Sequence, residues 1–143
     1  MTTYTSISLS NVTCMAPGAD TWNRYSNDLW HWVKHASGYL SRGVMRTPEI
    51  RGISSETRYV ELAAQICRGA VSGASGTEVK VRERNVVDGV ARIQYLVWFE
   101  APGMRSGLFL VVTDCGDHGE LETMFAPIEG KSYFDEQPGS WIV

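Results

Sequence analysis

The sequence predicts an α+β domain in which helices come first and a sheet follows. Apolar residues recur at steps of three and four over residues 21–40 and again over residues 55–70, as in amphipathic helices with one buried stripe. Over residues 78–125 the period changes to two, and glycine-containing turns separate four apolar segments. We therefore predict N-terminal helices packed on a four-stranded antiparallel sheet.

The chain of 143 residues has the size of one domain, and we expect a single globular domain over residues 1–143. The apolar fraction of 43% and the charged fraction of 20% are near globular averages, which argues against disorder. A net charge of -3 argues against a protein that coats nucleic acid, because such binding needs a basic surface. This net charge is compatible with a nuclease that has one local basic cleft.

Three widely spaced cysteines, Cys14, Cys67 and Cys115, favour reduced thiols in cytoplasm over a disulfide framework. The first six residues contain neither a basic nor an apolar segment of the kind found in signal peptides. The apolar runs are too short to span a membrane. We expect a protein that works in cytoplasm, its own or that of a target cell, with no membrane partner.

In the first half, residues 4–12 alternate loosely and predict a short strand. Asp20 or Thr21 is a plausible N-cap for the first helix, and Ser54 or Ser55 for the second. The helices are separated by a predicted basic loop, residues 41–51, which contains three arginines.

The second half predicts an antiparallel meander. Its turns contain Asp88-Gly89, Pro102-Gly103 and the glycines at positions 116 and 119, and the structure of residues 130–143 is left open. The predicted strands cover residues 78–83, 91–100, 108–113 and 120–125.

The first predicted helix contains His31, Lys34 and His35, which place two imidazoles and an ammonium within five residues. Residues 31 and 35 lie one turn apart on one helix face, so both rings can point at one small volume. His35 falls beside the apolar stripe and His31 points further into solvent, which makes His35 the stronger catalytic candidate. The simplest alternative is a solvated helix face without chemistry.

RNA cleavage through attack of the 2′-hydroxyl needs a base, an acid and cations around the phosphorane. Imidazole suits both proton transfers because its pKa is near neutrality. Arginine binds phosphate in a bidentate way, and Arg42 and Arg46 lie in the predicted basic loop. This group therefore predicts a ribonuclease site.

Other chemistry is less well supported. A zinc site on His31 and His35 would need a third ligand from His118, Asp114, Asp117 or a cysteine, and the HExxH glutamate is absent, so we predict no metal and no cofactor. Cys115 paired with His118 as a nucleophile lacks a third partner. Residues 114–119 are most simply a hairpin turn, and Thr123 is most simply an ordinary strand residue.

A set of short motifs occurs in a particular order along the chain. These are Lys34-His35 on a helix, an arginine at position 46, the segment Ile53-Ser54-Ser55 opening a helix, and Thr123-x-aromatic followed by Pro127. In this order the chain resembles the ribonuclease A-like toxin domains of bacterial contact-dependent-inhibition proteins. The resemblance covers roughly residues 31–127.

The resemblance implies a kinked or split sheet with packed helices, and metal-independent cleavage of RNA, often tRNA, that leaves a cyclic phosphate. It implies His35 as general acid or base, Arg46 as the transition-state cation and Thr123 as a phosphate or orienting donor. The family favours tyrosine where this chain has Phe125, so a role for that hydroxyl is lost or passes to another residue such as Tyr133. Glu56 stands where an aromatic residue is usual.

The sequence thus predicts a toxin-type endoribonuclease that cuts RNA rather than DNA and is neutralised by a cognate immunity protein. The alternative is a non-enzymatic binding module, such as an immunity or phage accessory protein, with exposed Trp30 and Trp98 as its contact patch. A zinc-dependent hydrolase is a third hypothesis. The predicted catalytic residues are His35, Arg46, Thr123, His31 and Tyr133, and the predicted substrate-binding residues are Lys34, Arg42 and Ser54.

Overall fold

A six-stranded mixed sheet with helices on both faces forms the centre of the protein. The computed structural model describes residues 7–15, 39–41, 44–46, 55–85, 91–103 and 107–141. The sheet has the order β1-β7-β6-β5-β4-β8, and β2 pairs with β3 in a separate two-stranded sheet. The elements are α1 (Ile7–Ser10), β1 (Val12–Met15), β2 (Tyr39–Ser41), β3 (Val44–Arg46), α2 (Glu56–Val71), β4 (Thr77–Asn85), β5 (Ala91–Phe99), β6 (Leu108–Asp114), β7 (Gly119–Phe125), α3 (Lys131–Glu136) and β8 (Ser140–Trp141).

The predicted four-strand meander is present as β4 to β7, each strand antiparallel to the next. The sheet nevertheless differs from the prediction, because β1 joins β7 in parallel and β8 joins β4. These edge strands come from the two ends of the described chain, and hydrophobic periodicity carries no information about such distant pairing. The helices are likewise not confined to the N-terminal part, since α3 follows the meander.

The predicted strand over residues 4–12 is wrong for its second half, where residues 7–10 form the short helix α1 and β1 begins at Val12. Ile7 is 67% exposed, whereas Leu9 and Val12 are buried. The two buried apolar residues are thus three apart, which suits one turn of helix better than alternation. The amide of Asn11 donates to the Ser8 carbonyl and closes this turn.

The predicted helix over residues 21–40 lies outside the described residues except for its last two, Tyr39 and Leu40, which belong to β2. Part of the predicted basic loop is also strand, because Tyr39 pairs with Arg46 and Ser41 with Val44. In these segments the backbone groups are satisfied by pairing between strands, and neither a helix end nor an irregular loop is needed. Arg46 is therefore a strand residue.

The second predicted helix is confirmed as α2. The Ser55 hydroxyl caps it by accepting a hydrogen bond from the Arg58 amide at 3.2 Å. Gly73, at a φ of 78°, takes the chain away after the last turn. The apolar period predicts six inward side chains, of which Tyr59, Ala63, Ile66, Cys67 and Ala70 are buried and Val60 is partly buried.

The two faces of the sheet carry different cores, which we call the α2 face and the α3 face. The α2 face packs against α1 and α2. Its buried strand residues are Val12, Val79, Tyr95, Val97, Leu108, Leu110, Val112, Leu121 and Met124. The α3 face packs against α3. Its buried residues are Leu96, Trp98, Phe109 and Val111 together with Phe134 of the helix, and Phe125 and Tyr133 are partly buried beside them.

The sequence of β6 is a near-continuous apolar run, which predicts a central strand, and burial on both of its faces confirms this. Burial on both faces also makes the predicted exposure of Trp98 wrong. The indole is 2% exposed and lies against Phe134, with ring centroids 6.2 Å apart. Trp98 therefore belongs to the core and contributes no contact patch to a binding module.

The segment left open by the sequence, residues 130–143, contains α3 and β8, and two lysines fasten α3 to β4. Lys80 is 2% exposed, and its ammonium donates to the carbonyls of Phe134, Asp135 and Gln137 at 2.7, 2.9 and 3.0 Å. Burial lowers the pKa of this group. At the other end of α3, the ammonium of Lys131 lies 2.7 Å from Glu78 on β4, and the bond to Glu78 raises the pKa of Lys131.

Within the described segments, no helix combines the length and the apolar character that a membrane crossing would require.

Candidate functional site

Four polar side chains cross the α3 face, one from each strand of the meander. We call this set, Arg82, Gln94, Thr113 and Glu122, the polar row. The register places Arg82 opposite Gln94, and Gln94 opposite Thr113. Gln94 lies two residues from Leu96 on the same strand, so the polar row continues the buried surface that Leu96 and Trp98 begin.

Hydrogen bonds run along the polar row in one direction. Arg82 Nε donates to Gln94 Oε1 at 3.1 Å, and Gln94 Nε2 donates to Thr113 Oγ1 at 3.4 Å. Thr113 Oγ1 in turn donates to Glu122 Oε1 at 2.7 Å. The chain starts at a guanidinium and ends at a carboxylate, so each bond polarises the next in the same sense.

Burial makes this network costly to disrupt. Gln94 and Thr113 are each 3% exposed, and Arg82 and Glu122 are half-buried. A polar group taken out of water costs free energy unless it finds a partner, and each member of the row has one. The two ends of the row are the parts that remain partly accessible.

A β-bulge in β7 aims Glu122 at this face. Val111 pairs with Thr123 and Val112 pairs with Leu121, which leaves Glu122 as the extra residue. Thr123 lies opposite Val111 and therefore on the α3 face, and the bulge turns its neighbour to the same side. A carboxylate and a hydroxyl are thus adjacent at one end of the polar row.

The second predicted residue that the structure describes on this face is Tyr133 of α3. Its ring meets Phe109 and Phe125 edge to face, with centroid distances of 5.1 and 5.5 Å. Thr123, Phe125 and Tyr133 therefore share the α3 face. Whether the Tyr133 hydroxyl takes the role that Phe125 lacks stays a prediction.

Most of the other predicted site residues cannot be placed relative to the polar row. His31, Lys34, His35, Arg42 and Ser54 lie outside the described residues. Arg46 is described as a backbone position in β3, in the separate two-stranded sheet.

The β6–β7 turn predicted for residues 114–119 is confirmed. Its acidic residue Asp114, however, is hydrogen-bonded within the protein. Its carboxylate accepts hydrogen bonds from the hydroxyls of Ser8 and Tyr95 and from the amide of Gly116. Asp114 therefore joins α1, β5 and the turn, which is a structural role.

The Cys115 thiol is a poor candidate for a nucleophile. It donates to Glu120 Oε1 at 3.0 Å, and burial together with this bond raises its pKa to about 12. The thiol rather than the reactive thiolate is then present at neutral pH. His118 contacts Asp117, with Nδ1 and Oδ1 2.6 Å apart.

The sequence interpretation missed Arg82, Gln94, Thr113 and Glu122. A signal for Gln94 was available, because it alternates in step with Leu96 and Trp98 and so occupies an inward position. Buried polar residues at such positions need partners on the neighbouring strands. Glu122 could not be found in this way, because the bulge changes the alternation at that point.

No protein-family model, curated protein or solved structure matches this chain. Function must therefore be inferred from the side chains and their geometry.

Proposed function

We propose that this protein is a toxin-type endoribonuclease that cleaves RNA by transesterification, with its reaction centre beside Glu122 and Thr123 on the α3 face. The observation that carries the proposal is the polar row, which places a carboxylate, a hydroxyl, an amide and a guanidinium on one side of the sheet. These groups match the needs of phosphodiester chemistry.

Glu122 is suited to take the proton from the 2′-hydroxyl. Its Oε1 accepts the Thr113 hydrogen bond, which fixes the orientation of the carboxylate. Among the residues that the structure describes, none donates a hydrogen bond to Oε2. That oxygen is therefore available to a substrate hydroxyl within hydrogen-bond reach.

Thr123 is suited to hold a non-bridging phosphate oxygen, because it is half-buried and lies next to Glu122 on the same face. With Glu122 as the base, His35 acts as the acid that protonates the leaving 5′-oxygen, and Arg46 stabilises the charge on the phosphorane. His31 remains the second histidine candidate. These three residues enter the proposal from the sequence.

Arg82 stands at the opposite end of the polar row. Two strands, β5 and β6, lie between Arg82 on β4 and Glu122 on β7, so its guanidinium does not reach the carboxylate end. It therefore binds another phosphate of an extended strand rather than the reacting one. In this arrangement RNA crosses the strands along the row.

The test incubates purified protein with total RNA in EDTA and compares it with Glu122→Gln, which keeps the shape of the side chain and removes its basicity. Loss of a general base should reduce the cleavage rate by about 10²- to 10⁴-fold. The exposed residue Glu129 provides the matched control, and Glu129→Gln should cleave at the rate of the parent protein. The new 5′-side fragments should end in a 2′,3′-cyclic phosphate.

Intact RNA with folded parent protein would overturn the proposal and favour a binding module. An unchanged rate in Glu122→Gln would remove Glu122 from the reaction centre. A His35→Ala variant tests the acid separately, and expression with and without a neighbouring gene product tests for a neutralising immunity protein. An active ribonuclease should arrest growth when it is expressed alone.

A further inference from the structure

A cysteine, a histidine and a glutamate meet at the edge of the large sheet where β1 lies beside β7. They are Cys14, His118 and Glu120, and one ligand atom from each lies within 4.8 Å of the other two. We propose that these three side chains bind a zinc ion. The proposal is independent of the ribonuclease function.

The backbone holds the three residues together across a large separation in sequence. Cys14 is the register partner of Glu120 in the parallel β1–β7 pair, and His118 immediately precedes β7. The Gly119 amide donates to the Asn11 carbonyl, and the Asn11 side chain donates to the Asp117 carbonyl, both at 3.0 Å. These bonds fix the turn against the start of β1.

Glycine at position 119 makes this close approach possible. A Cβ there would lie 2.5 Å from the Ser8 carbonyl oxygen and 2.8 Å from a methyl of Val112. Any larger residue would push α1, and with it β1, away from the turn. The sequence therefore maintains the distance that brings the Cys14 thiol to His118 and Glu120.

The distances suit tetrahedral zinc. Cys14 Sγ lies 3.9 Å from Glu120 Oε2. Bond lengths of about 2.3 Å to sulfur and 2.1 Å to oxygen place these two ligands about 3.6 Å apart in a tetrahedral site. Cys14 and Glu120 need to approach by only a few tenths of an ångström, His118 lies within 4.8 Å of both, and one thiolate with one carboxylate balances the charge of the ion.

Each of two ligands also has a neighbour that orients it. The carboxylate of Asp117 lies 2.6 Å from His118 Nδ1, which leaves Nε2 for the metal. Cys115 Sγ donates to Glu120 Oε1, which leaves Oε2, the oxygen that faces Cys14. Outer partners of this kind orient the ligands of natural metal sites.

The donor set identifies the class of ion. Sulfur, nitrogen and oxygen together favour zinc over calcium or magnesium, which take oxygen ligands. Cys14 is exposed, so an ion can enter from solvent. Three protein ligands leave a fourth position, which water fills.

The experiment titrates the reduced, metal-free full chain with Co²⁺ as a spectroscopic substitute and then displaces it with Zn²⁺. We expect one ion per chain, a thiolate-to-cobalt charge-transfer band, and loss of that band when Zn²⁺ is added. Cys14→Ser should abolish the band, and His118→Ala should weaken zinc binding by about tenfold or more. Cys115→Ser is the matched thiol control and should keep the band, because serine also donates to Glu120.

Absence of the band from the parent protein at saturating Co²⁺ would overturn the proposal, whether or not the variants fold. A band that survives in Cys14→Ser but disappears in Cys115→Ser would overturn the assignment of Cys14. Metal bound without any thiolate band would place the ion elsewhere in the chain and would also count against the site. RNA cleavage should be the same in Cys14→Ser as in the parent, which separates this test from that of the proposed function.

Discussion

The two faces of the sheet bury different kinds of side chain. The α2 face buries apolar side chains almost throughout, and its Tyr59 hydroxyl is satisfied by the main chain of Met124. The α3 face buries an ammonium, an amide and a hydroxyl among its aromatic rings, in Lys80, Gln94 and Thr113. Burying such groups costs free energy that apolar residues would not cost. The comparison indicates that the α2 face provides stability, and the proposed function places its reaction centre on the α3 face.

The largest expected effect comes from opening a cavity in the α2 face. Leu110 is fully buried, so Leu110→Ala should lower the free energy of unfolding by about 2–5 kcal/mol in urea denaturation. Ile128 is fully exposed, and Ile128→Ala should cause no measurable change. If the α2 face is only a scaffold, the folded fraction of Leu110→Ala should cleave RNA at the parent rate. A loss of stability below about 1 kcal/mol would contradict the packing described for this face.

The next effect tests the buried cation of the α3 face. Lys80→Met keeps the length of the side chain and its contact with the Phe134 ring, but it leaves the three carbonyls at the end of α3 without their donor. We expect a loss of about 3 kcal/mol, because unsatisfied buried acceptors cost about 1–3 kcal/mol each. Lys131→Met removes an ion pair in which the lysine side chain is 41% exposed, and should cost less than about 1 kcal/mol. Equal losses in the two variants would contradict the burial of Lys80.

The stability contributed by Lys80 and by Lys131 should change with pH in opposite directions. The folded protein holds the pKa of Lys80 below its usual value, so between the two values the unfolded chain binds more protons. The stability contributed by Lys80 therefore rises with pH through that window. Lys131 has a raised pKa, and its contribution falls as pH passes the folded value. Urea denaturation across alkaline pH should show the destabilisation by Lys80→Met growing and that by Lys131→Met shrinking.

The contrast between the faces also explains what could be predicted from the sequence. Helix α2 and strands β4 to β7 have a regular hydrophobic period, and short turns connect most of these strands. The sequence therefore predicts both the helix and the four strands. The pairing of β1 with β7 depends on contacts between distant parts of the chain, such as Ser8 with Asp114. Alternation over residues 78–83 places Lys80 and Arg82 on the side of the strand opposite Val79 and Val81, but it carries no sign that α3 covers that side.

For the candidate site the outcome is similar. Thr123 and Tyr133 were predicted from a resemblance, and both lie on the α3 face. Glu122 was missed because the bulge reverses its direction, and a bulge leaves no mark in a pattern of alternating residues. The histidine hypothesis falls on residues 31 and 35, outside the described residues, and stays a prediction.

Two glycines allow the packing on the two sides of the sheet to be compared directly. Gly107 is buried against Trp98 on the α3 face, and a Cβ there would lie 2.1 Å from the indole. Gly107→Ala should therefore cost about 1–3 kcal/mol through overpacking. Gly69 in α2 has room for a methyl group, whose nearest neighbour would be 3.5 Å away, and Gly69→Ala should stabilise the protein by about 0.5–1 kcal/mol. The melting temperature should fall for Gly107→Ala and rise for Gly69→Ala. A shift in the same direction for both would contradict the difference in free space around the two glycines.

The smallest expected effect concerns the N-termini of the two helices that cover the sheet, α2 and α3. Ser55 caps α2 through its own hydroxyl, so Ser55→Ala should lower the free energy of unfolding by about 1 kcal/mol. Helix α3 has Gly130 at its N-cap position and therefore no side-chain cap, and Lys80 holds its other end. Ser132→Ala, which removes only an exposed hydrogen bond to Glu129, should have a smaller effect in the same urea titration. Equal losses in the two serine variants would contradict this difference, because the exposed hydrogen bond of Ser132 would then contribute as much to stability as the Ser55 cap of α2.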